Sequence, residues 1–364
     1  MRATRSAALP LLACLALSAR VRPLLVRPGA RFACADDGLC CTDMHVLGPV
    51  SRTEARRLRV IDPESVTRSE ALDVAMLRTK PDGHCTFHVR DEADPSGRFL
   101  CAVHAEHGAM AKAASCRRFP YRLIATPMGG RIATEHRCPC RTMGERPPIE
   151  AEVAAASLVD AQGKLMVDAR VEQFLLVTKG KRIAFSSYVD LERVMLARLA
   201  AGHDPLDVLA QPPFPRLSEL TWSDVGHLLR QRPDGTACGE ALAWLGDELL
   251  RQHGTPIRPL RGRPWSPSFD HAEARTPEPE SPEAMLADFV ADTLWSLDWH
   301  GRAPFDVARA DLATRVVLAR ALAESFVAAG TRADRAMAEA IHVVELAGAS
   351  VLWGAILKHI RLAA

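Results

Sequence analysis

Cys34-Ala-Asp-Asp-Gly-Leu-Cys40-Cys41 opens a stretch, Cys34 to Cys140, that holds eight of the chain's ten cysteines. The others in it are Cys85, Cys101, Cys116 and Cys138, while Cys14 and Cys238 stand apart. Small and polar residues between Cys34 and Cys40 let the backbone bend around something. A clustered, even set of thiols in an otherwise ordinary composition points to one shared chemical task. Disulfides, zinc and an iron–sulfur cluster are the tasks thiols perform together. The cysteine stretch is poor in large apolar side chains, whereas all six tryptophans, Trp222 to Trp353, lie in the C-terminal half. The expected fold is therefore α+β: a small, irregular, cysteine-ligated N-terminal domain followed by a mostly α-helical C-terminal domain.

At 364 residues the chain has room for two domains that bury their own cores. A hydrophobic content of 48% and a charged content of 25% describe an ordinary globular protein. Arginines and carboxylates are interspersed through the cysteine stretch, and the net charge is +2, so there is no electrostatic footprint for nucleic acid. Arg2 and Arg5 precede an apolar run from Ala7 to Ala19, the pattern of a short secretory signal, and Leu11-Leu12-Ala13-Cys14 has the shape of a lipoprotein box. The alternative is an alanine- and leucine-rich helix in a cytoplasmic protein. No other segment approaches the ~20 apolar residues that span a bilayer, so no transmembrane helix is expected. A protein partner is not named by any motif.

The elements follow from local patterns. Leu25 to Ala33 reads as extended around a Pro28-Gly29 turn, and His45 to Val50 as a short strand. Ser51-Arg-Thr-Glu54 is a capping box that predicts a helix to about Val60. Thr86 to Val89 and Arg98 to Val103 read as strands, His107 to Cys116 as a helix, and Tyr121 to Thr134 as a hairpin turning at Met128-Gly129-Gly130. After Arg146-Pro147-Pro148, Val171 to Thr178 and Arg182 to Ser186 flank a second hairpin. Helices follow, with Leu191, Val194, Met195 and Leu199 on one face and later stripes Leu318–Leu322–Phe326 and Met337–Ile341–Val344. Pro256 to Pro282, rich in proline, arginine and glutamate, reads as an exposed linker. The resulting division is a leader at 1–24, the cysteine domain at 25–146, a mixed hairpin-and-helix region at 150–254, a linker or long loop at 255–281 and a helical region at 282–364.

In a reducing cytosol this density of cysteine favours metal, and export would favour disulfides. Four thiolates usually hold one site, so eight supply two sites, or one site plus spare thiols. On an extended backbone the adjacent side chains of Cys40 and Cys41 point apart and would serve different sites. The histidines near the thiols, among them His84, His104 and His136, read as surface or supporting groups. The candidate metal ligands are Cys34, Cys40, Cys41, Cys85, Cys101 and Cys116, then Cys138 and Cys140, with zinc and a 4Fe-4S cluster both open.

Several segments together resemble the YkgJ-type cysteine-cluster family of zinc- or iron-chelating domains. Phe32-x-Cys34 with Gly38-x-Cys40-Cys41 is similar to its opening loop, and Pro49-Val-Ser-Arg-Thr-Glu54 to its helix start. Cys85-Thr-Phe87, Cys101-Ala-Val-His104 and Cys116-Arg-Arg-Phe-Pro120 are similar to its later motifs. Asp37 stands where the family's fuller opening carries a cysteine; aspartate ligates zinc or iron through oxygen. Cys138-Pro139-Cys140 resembles the closing segment of a longer relative, flagellin lysine N-methylase. That likeness implies a protein-lysine N-methyltransferase using S-adenosylmethionine as the alternative function. Gly129-Gly130 reads as a hairpin turn, not as a methyl-donor loop. Arg117 and Arg118 are candidates to offset thiolate charge. A secreted disulfide-bonded protein is the remaining alternative.

Overall fold

The computed structural model describes residues 21–362, apart from 35–37, 39, 45–46, 70–72, 93–98, 145, 232–234 and 258–261. Most of the expected leader, with Cys14, lies outside the described residues, as do Asp37 and His45. A short strand, β1 (Leu24–Val26), begins the described chain. Ser51 then starts α1 (Arg52–Ile61) with the expected capping box: its Oγ accepts the Glu54 N–H at 3.3 Å, and the Glu54 carboxylate accepts the Ser51 N–H at 2.8 Å. Leu47 to Val50 form no strand. They run beside a later strand, where Leu77 donates to the Leu47 carbonyl and Val50 donates to the Ala75 carbonyl, but Pro49 has no N–H with which to continue a ladder.

The hairpin β2 (Val66–Ser69) and β3 (Val74–Leu77) was not legible, because its strands are half-exposed and carry little alternation. The two strands read near the middle cysteines do form as an antiparallel pair, β4 (His88–Arg90) and β5 (Phe99–Cys101), with His88 opposite Cys101. The single helix expected over 107–116 is instead two short ones, α2 (Ala102–His107) and α3 (Ala114–Arg118), separated by a 3-10 turn. Gly108, at φ +80°, ends the first. The second begins where the Ala114 N–H meets the Glu54 carboxylate at 2.7 Å, a contact no local pattern announces.

The hairpin β6 (Tyr121–Thr126) and β7 (Gly129–Thr134) forms as expected. A Cβ at Gly129 or Gly130 would lie 2.4 Å from the carbonyl oxygens of Pro23 or Val21, so only glycine lets the chain before β1 come this close. Two short helices follow, α4 (Pro139–Thr142) and α5 (Ala151–Ala155), then β8 (Ala169–Arg170). The sheet runs in the order β1-β7-β6-β8, with β1 parallel to β7 and β8 parallel to β6. It therefore crosses the Arg146–Pro148 segment.

The second hairpin pairs β9 (Phe174–Thr178) with β10 (Lys181–Ala184) and leads into α6 (Phe185–Ala200). The buried face of α6 is Phe185, Tyr188, Glu192, Met195 and Leu199, while Leu191 and Val194 are exposed. Glu192 turns inward because Arg131 of β7 grips both of its oxygens at 2.7 Å; a buried ion pair has set the rotation of the helix. Then come α7 (Pro205–Leu209), β11 (Arg216–Leu217), α8 (Trp222–Arg230) and α9 (Ala237–Gln252). Residues of the proline-rich stretch are not an exposed linker: Trp265 and Phe269 are fully buried, and α10 (Asp270–Ala274) lies within it. The remaining helices are α11 (Pro282–Ser296), α12 (Phe305–Ala328), α13 (Ala333–Ala349) and α14 (Val351–Leu357), before β12 (Ile360–Arg361) pairs with β11. Both late stripes are buried as read.

The fold is α+β, with one large and two small apolar cores among the described residues. The large one runs from Met44 and β6–β7 through the helices to Ile360. One small core is built around Leu58, Leu77, Phe87 and Val103, and the other joins Leu123 and Ile132 of the β6–β7 hairpin to Ala154 and Leu158. Among the described residues no single helix is long and apolar enough to cross a membrane. Only α13 and α14 together reach that composition; they bend by 72°, and α13 is a core helix.

Candidate metal centre

The loops and short elements between β1 and α4 bring the clustered cysteines to one cleft of about 510 Å³, lined by Cys34, Cys40, Cys41, Cys101, Cys116 and Cys138. Cys85 adjoins Cys41 and Cys101 behind the wall, and the Cys138 and Cys140 thiols are hydrogen-bonded to each other. All eight candidate ligands are thus gathered. Cys238 is not among them; it sits on α9, its N–H donating to the Asp43 carbonyl at 3.3 Å. None of the nine described cysteines is in a disulfide. Among the described residues, no three His, Cys, Asp or Glu side chains stand as a ready-made site for a metal ion. A larger groove of about 1080 Å³ lies between β1, α6 and α11, away from the thiols.

Local structure fixes each thiol. Cys40 and Cys41 sit at a turn closed by the Cys41 N–H on the Gly38 carbonyl at 2.8 Å. The turn, unlike an extended chain, lets the two side chains meet, and the Cys40 thiol donates to Cys41. The Cys85 N–H donates to the Cys41 carbonyl at 2.8 Å, and Cys101 ends β5. Cys138 is the N-cap of α4, whose Pro139 occupies the first helical position.

Four of the thiols are pushed toward their protonated form. Burial pushes both Cys85 and Cys116 up to about 12. Cys40 is raised by its hydrogen bond to Cys41 and by burial, and Cys138 by its bond to Cys140 and by burial. Cys40 and Cys116 keep some exposed surface yet lie deep in the protein. Once ionised, as metal binding requires, neighbouring thiolates would repel one another and need a counter-charge. Lys112 supplies one: burial opposes its ammonium, but Cys41, Cys101, Cys116 and Cys34 outweigh that and raise its pKa. Of the two arginines singled out by sequence, Arg118 lines the cleft and pairs with Asp168. Arg117 turns to the Val159 carbonyl at 2.5 Å.

A buried ionic network ties this centre to the helices. Arg141, next to Cys140, is fully buried and donates to Thr134 at 2.7 Å, to Asp288 at 2.6 Å and to Asp292. Arg27 reaches the same carboxylates, donating to Asp292 at 2.5 Å and to Asp288. Burial alone would protonate Asp292, but Arg141 and Arg27 hold its pKa well below the ordinary carboxylate range. His136 is 3.1 Å from Asp292, and burial with Arg141 lowers its pKa, so it is neutral and faces the network instead of the thiols.

Behind the cleft lies a smaller chamber of about 110 Å³. Arg122, Glu135 and Arg137 line both. Glu345 faces the chamber from α13; burial, then Glu135, raises its pKa to about 8. Lys112, Tyr121, Glu135 and Glu345 were not legible as members of the site. The only sequence signal was that Glu135-His136-Arg137 directly precedes Cys138.

Searches of protein-family models, characterised proteins and solved structures find nothing that matches this chain.

Proposed function

We propose that this is a metal-binding protein whose N-terminal cysteine region, 25–146, holds zinc or an iron–sulfur cluster, with the helical C-terminal region as its support. The observation that carries this reading is the gathering of eight cysteines, distant in sequence, around one cleft without a disulfide among the described residues. Thiolate is the soft donor these metals take. A metal must displace the protons of these buried thiols, so uptake is expected to strengthen as pH rises. The resemblance to YkgJ-type domains agrees, residue by residue, at six of these eight cysteines.

Cys34, Cys40, Cys41, Cys85, Cys101, Cys116, Cys138 and Cys140 would hold the metal. Zinc would brace the fold, and an iron–sulfur cluster would add one-electron transfer. Lys112 offsets thiolate charge, the Tyr121 and Phe32 rings (5.3 Å apart) limit water, and the Arg141 network fixes the Cys138–Cys140 segment.

The test is purification without oxygen, followed by iron, acid-labile sulfide and zinc analysis per chain with an optical spectrum. Iron and sulfide at about four each or more, or stoichiometric zinc, is the expected result. A chain that carries no metal, takes none on reconstitution and has its thiols oxidised in pairs would overturn the reading.

A further inference from the structure

The eight thiols are not evenly mixed. Cys85 belongs to the small apolar core, and Cys41, Cys101 and Cys116 pack against it; Cys34, Cys40, Cys138 and Cys140 do not. The neighbours divide in the same way except at Cys40. Cys116 lies beside Cys41, Cys85 and Cys101, whereas Cys138 lies beside Cys140 and Cys34; Cys40 lies beside Cys41 first, and then beside Cys138 and Cys34. The backbone supports are also distinct. The β4–β5 hairpin and the Cys85–Cys41 hydrogen bond hold the first group, and α4, anchored through Arg141 to α11, holds part of the second. The groups meet where Cys40 donates to Cys41.

We propose that the cleft is built as two four-thiol metal sites, Cys41–Cys85–Cys101–Cys116 and Cys34–Cys40–Cys138–Cys140, that abut at the Cys40–Cys41 contact. This rests on the metal-binding reading and goes beyond it in number and assignment. Each site takes one divalent ion by exchange: four thiols release four protons, four sulfur–metal bonds form, and no oxidation state changes. Because no ready-made ion site exists among the described residues, binding draws the thiols of each group inward. Adjacent ligands in the chain place the two centres close enough to influence one another. The Cys85 N–H on the Cys41 carbonyl and the β4–β5 pair already hold the first group together, so that site fills first.

The experiment is a cadmium titration of the reduced, metal-free full chain under argon. Thiolate-to-metal absorption and proton release are followed, and unprotected cysteines are alkylated and located by mass spectrometry at each step. The expected result is saturation at about two ions per chain, with Cys41, Cys85, Cys101 and Cys116 protected at the first. Cys34, Cys40, Cys138 and Cys140 should be protected only at the second. Saturation at one ion, or a first protected set that mixes the groups, overturns the division while leaving metal binding intact. No uptake overturns both. The double variants Cys85→Ser/Cys116→Ser and Cys138→Ser/Cys140→Ser should each keep half the capacity; loss of all capacity in a variant whose circular dichroism is native would also sink the division.

Discussion

The small core under the cysteine cleft and the large core under the helices are built on different principles. The first contains ten buried apolar residues, of which Ala55 and Ala113 are alanines and Cys85 is itself a candidate ligand. The second draws on fully buried Trp265, Trp353, Phe269, Phe289, Phe305 and Phe326. A core of the second kind carries a fold by apolar burial alone; one of the first kind rarely suffices without a staple. The difference coincides with the gathering of eight thiols in the thin region. That region also leans on its neighbour through charge, with Arg141 and Arg27 reaching Asp288 and Asp292 of α11.

The sharpest way to break this comparison is Arg141→Ala. It leaves two carboxylates inside the protein with one counter-ion, and the expected loss is about 3–5 kcal/mol in urea unfolding. Hydrogen exchange decides how the regions are joined. If the cysteine region alone loses protection, the network is a clamp between separable units; if all protection falls together, the two cores unfold as one.

A middle-sized effect concerns pH. Glu345, whose pKa is raised to about 8 from 4.5 by burial and by Glu135, keeps in the folded state a proton that the unfolded chain releases. Stability contributed by that proton is present below the unfolded value and is lost as pH rises toward 8. Glu345→Gln should therefore flatten the alkaline limb of a stability–pH profile, gaining at most about 5 kcal/mol over the parent by pH 8. An unchanged limb would show that the chamber hydrates the carboxylate and makes it ordinary.

The smallest effect sharpens the contrast between the cores. Ser51 and Thr221 make the same capping box, Ser51 on the thin core and Thr221 on the thick one. Ser51→Ala and Thr221→Ala should each cost about 1 kcal/mol in thermal unfolding. The Ser51 variant should also open α1 locally in hydrogen exchange, because the Glu54 N–H loses its acceptor, while the Glu54 carboxylate still accepts from the N–H groups of residue 51 and Ala114. Equal, purely global effects would argue that the thin core is no weaker than the other.

Much of the molecule was legible where a local rule acts alone. The Ser51 box, the glycine hairpin at Gly129-Gly130 and the buried stripes of α12 and α13 depend on capping, on positive φ or close approach, and on helical period, all properties of neighbours in sequence. Legibility failed where a distant charge or ring intervened. Glu192 is polar by composition and lies inside because Arg131 is there. The proline-rich stretch reads as solvent-loving, but Trp265 and Phe269 carry it into the core.

The sequence by itself determined that the cysteines matter, that they are candidate soft-metal ligands and that a helical region follows, because ligand chemistry and periodicity are written residue by residue. Only the tertiary structure decided which thiols are neighbours. The turn at Cys40–Cys41 brings together side chains that an extended chain would separate. Lys112 and Arg141 acquire their roles from sulfurs and carboxylates far along the chain, since electrostatic interaction depends on distance in space and on burial, neither of which a sequence states.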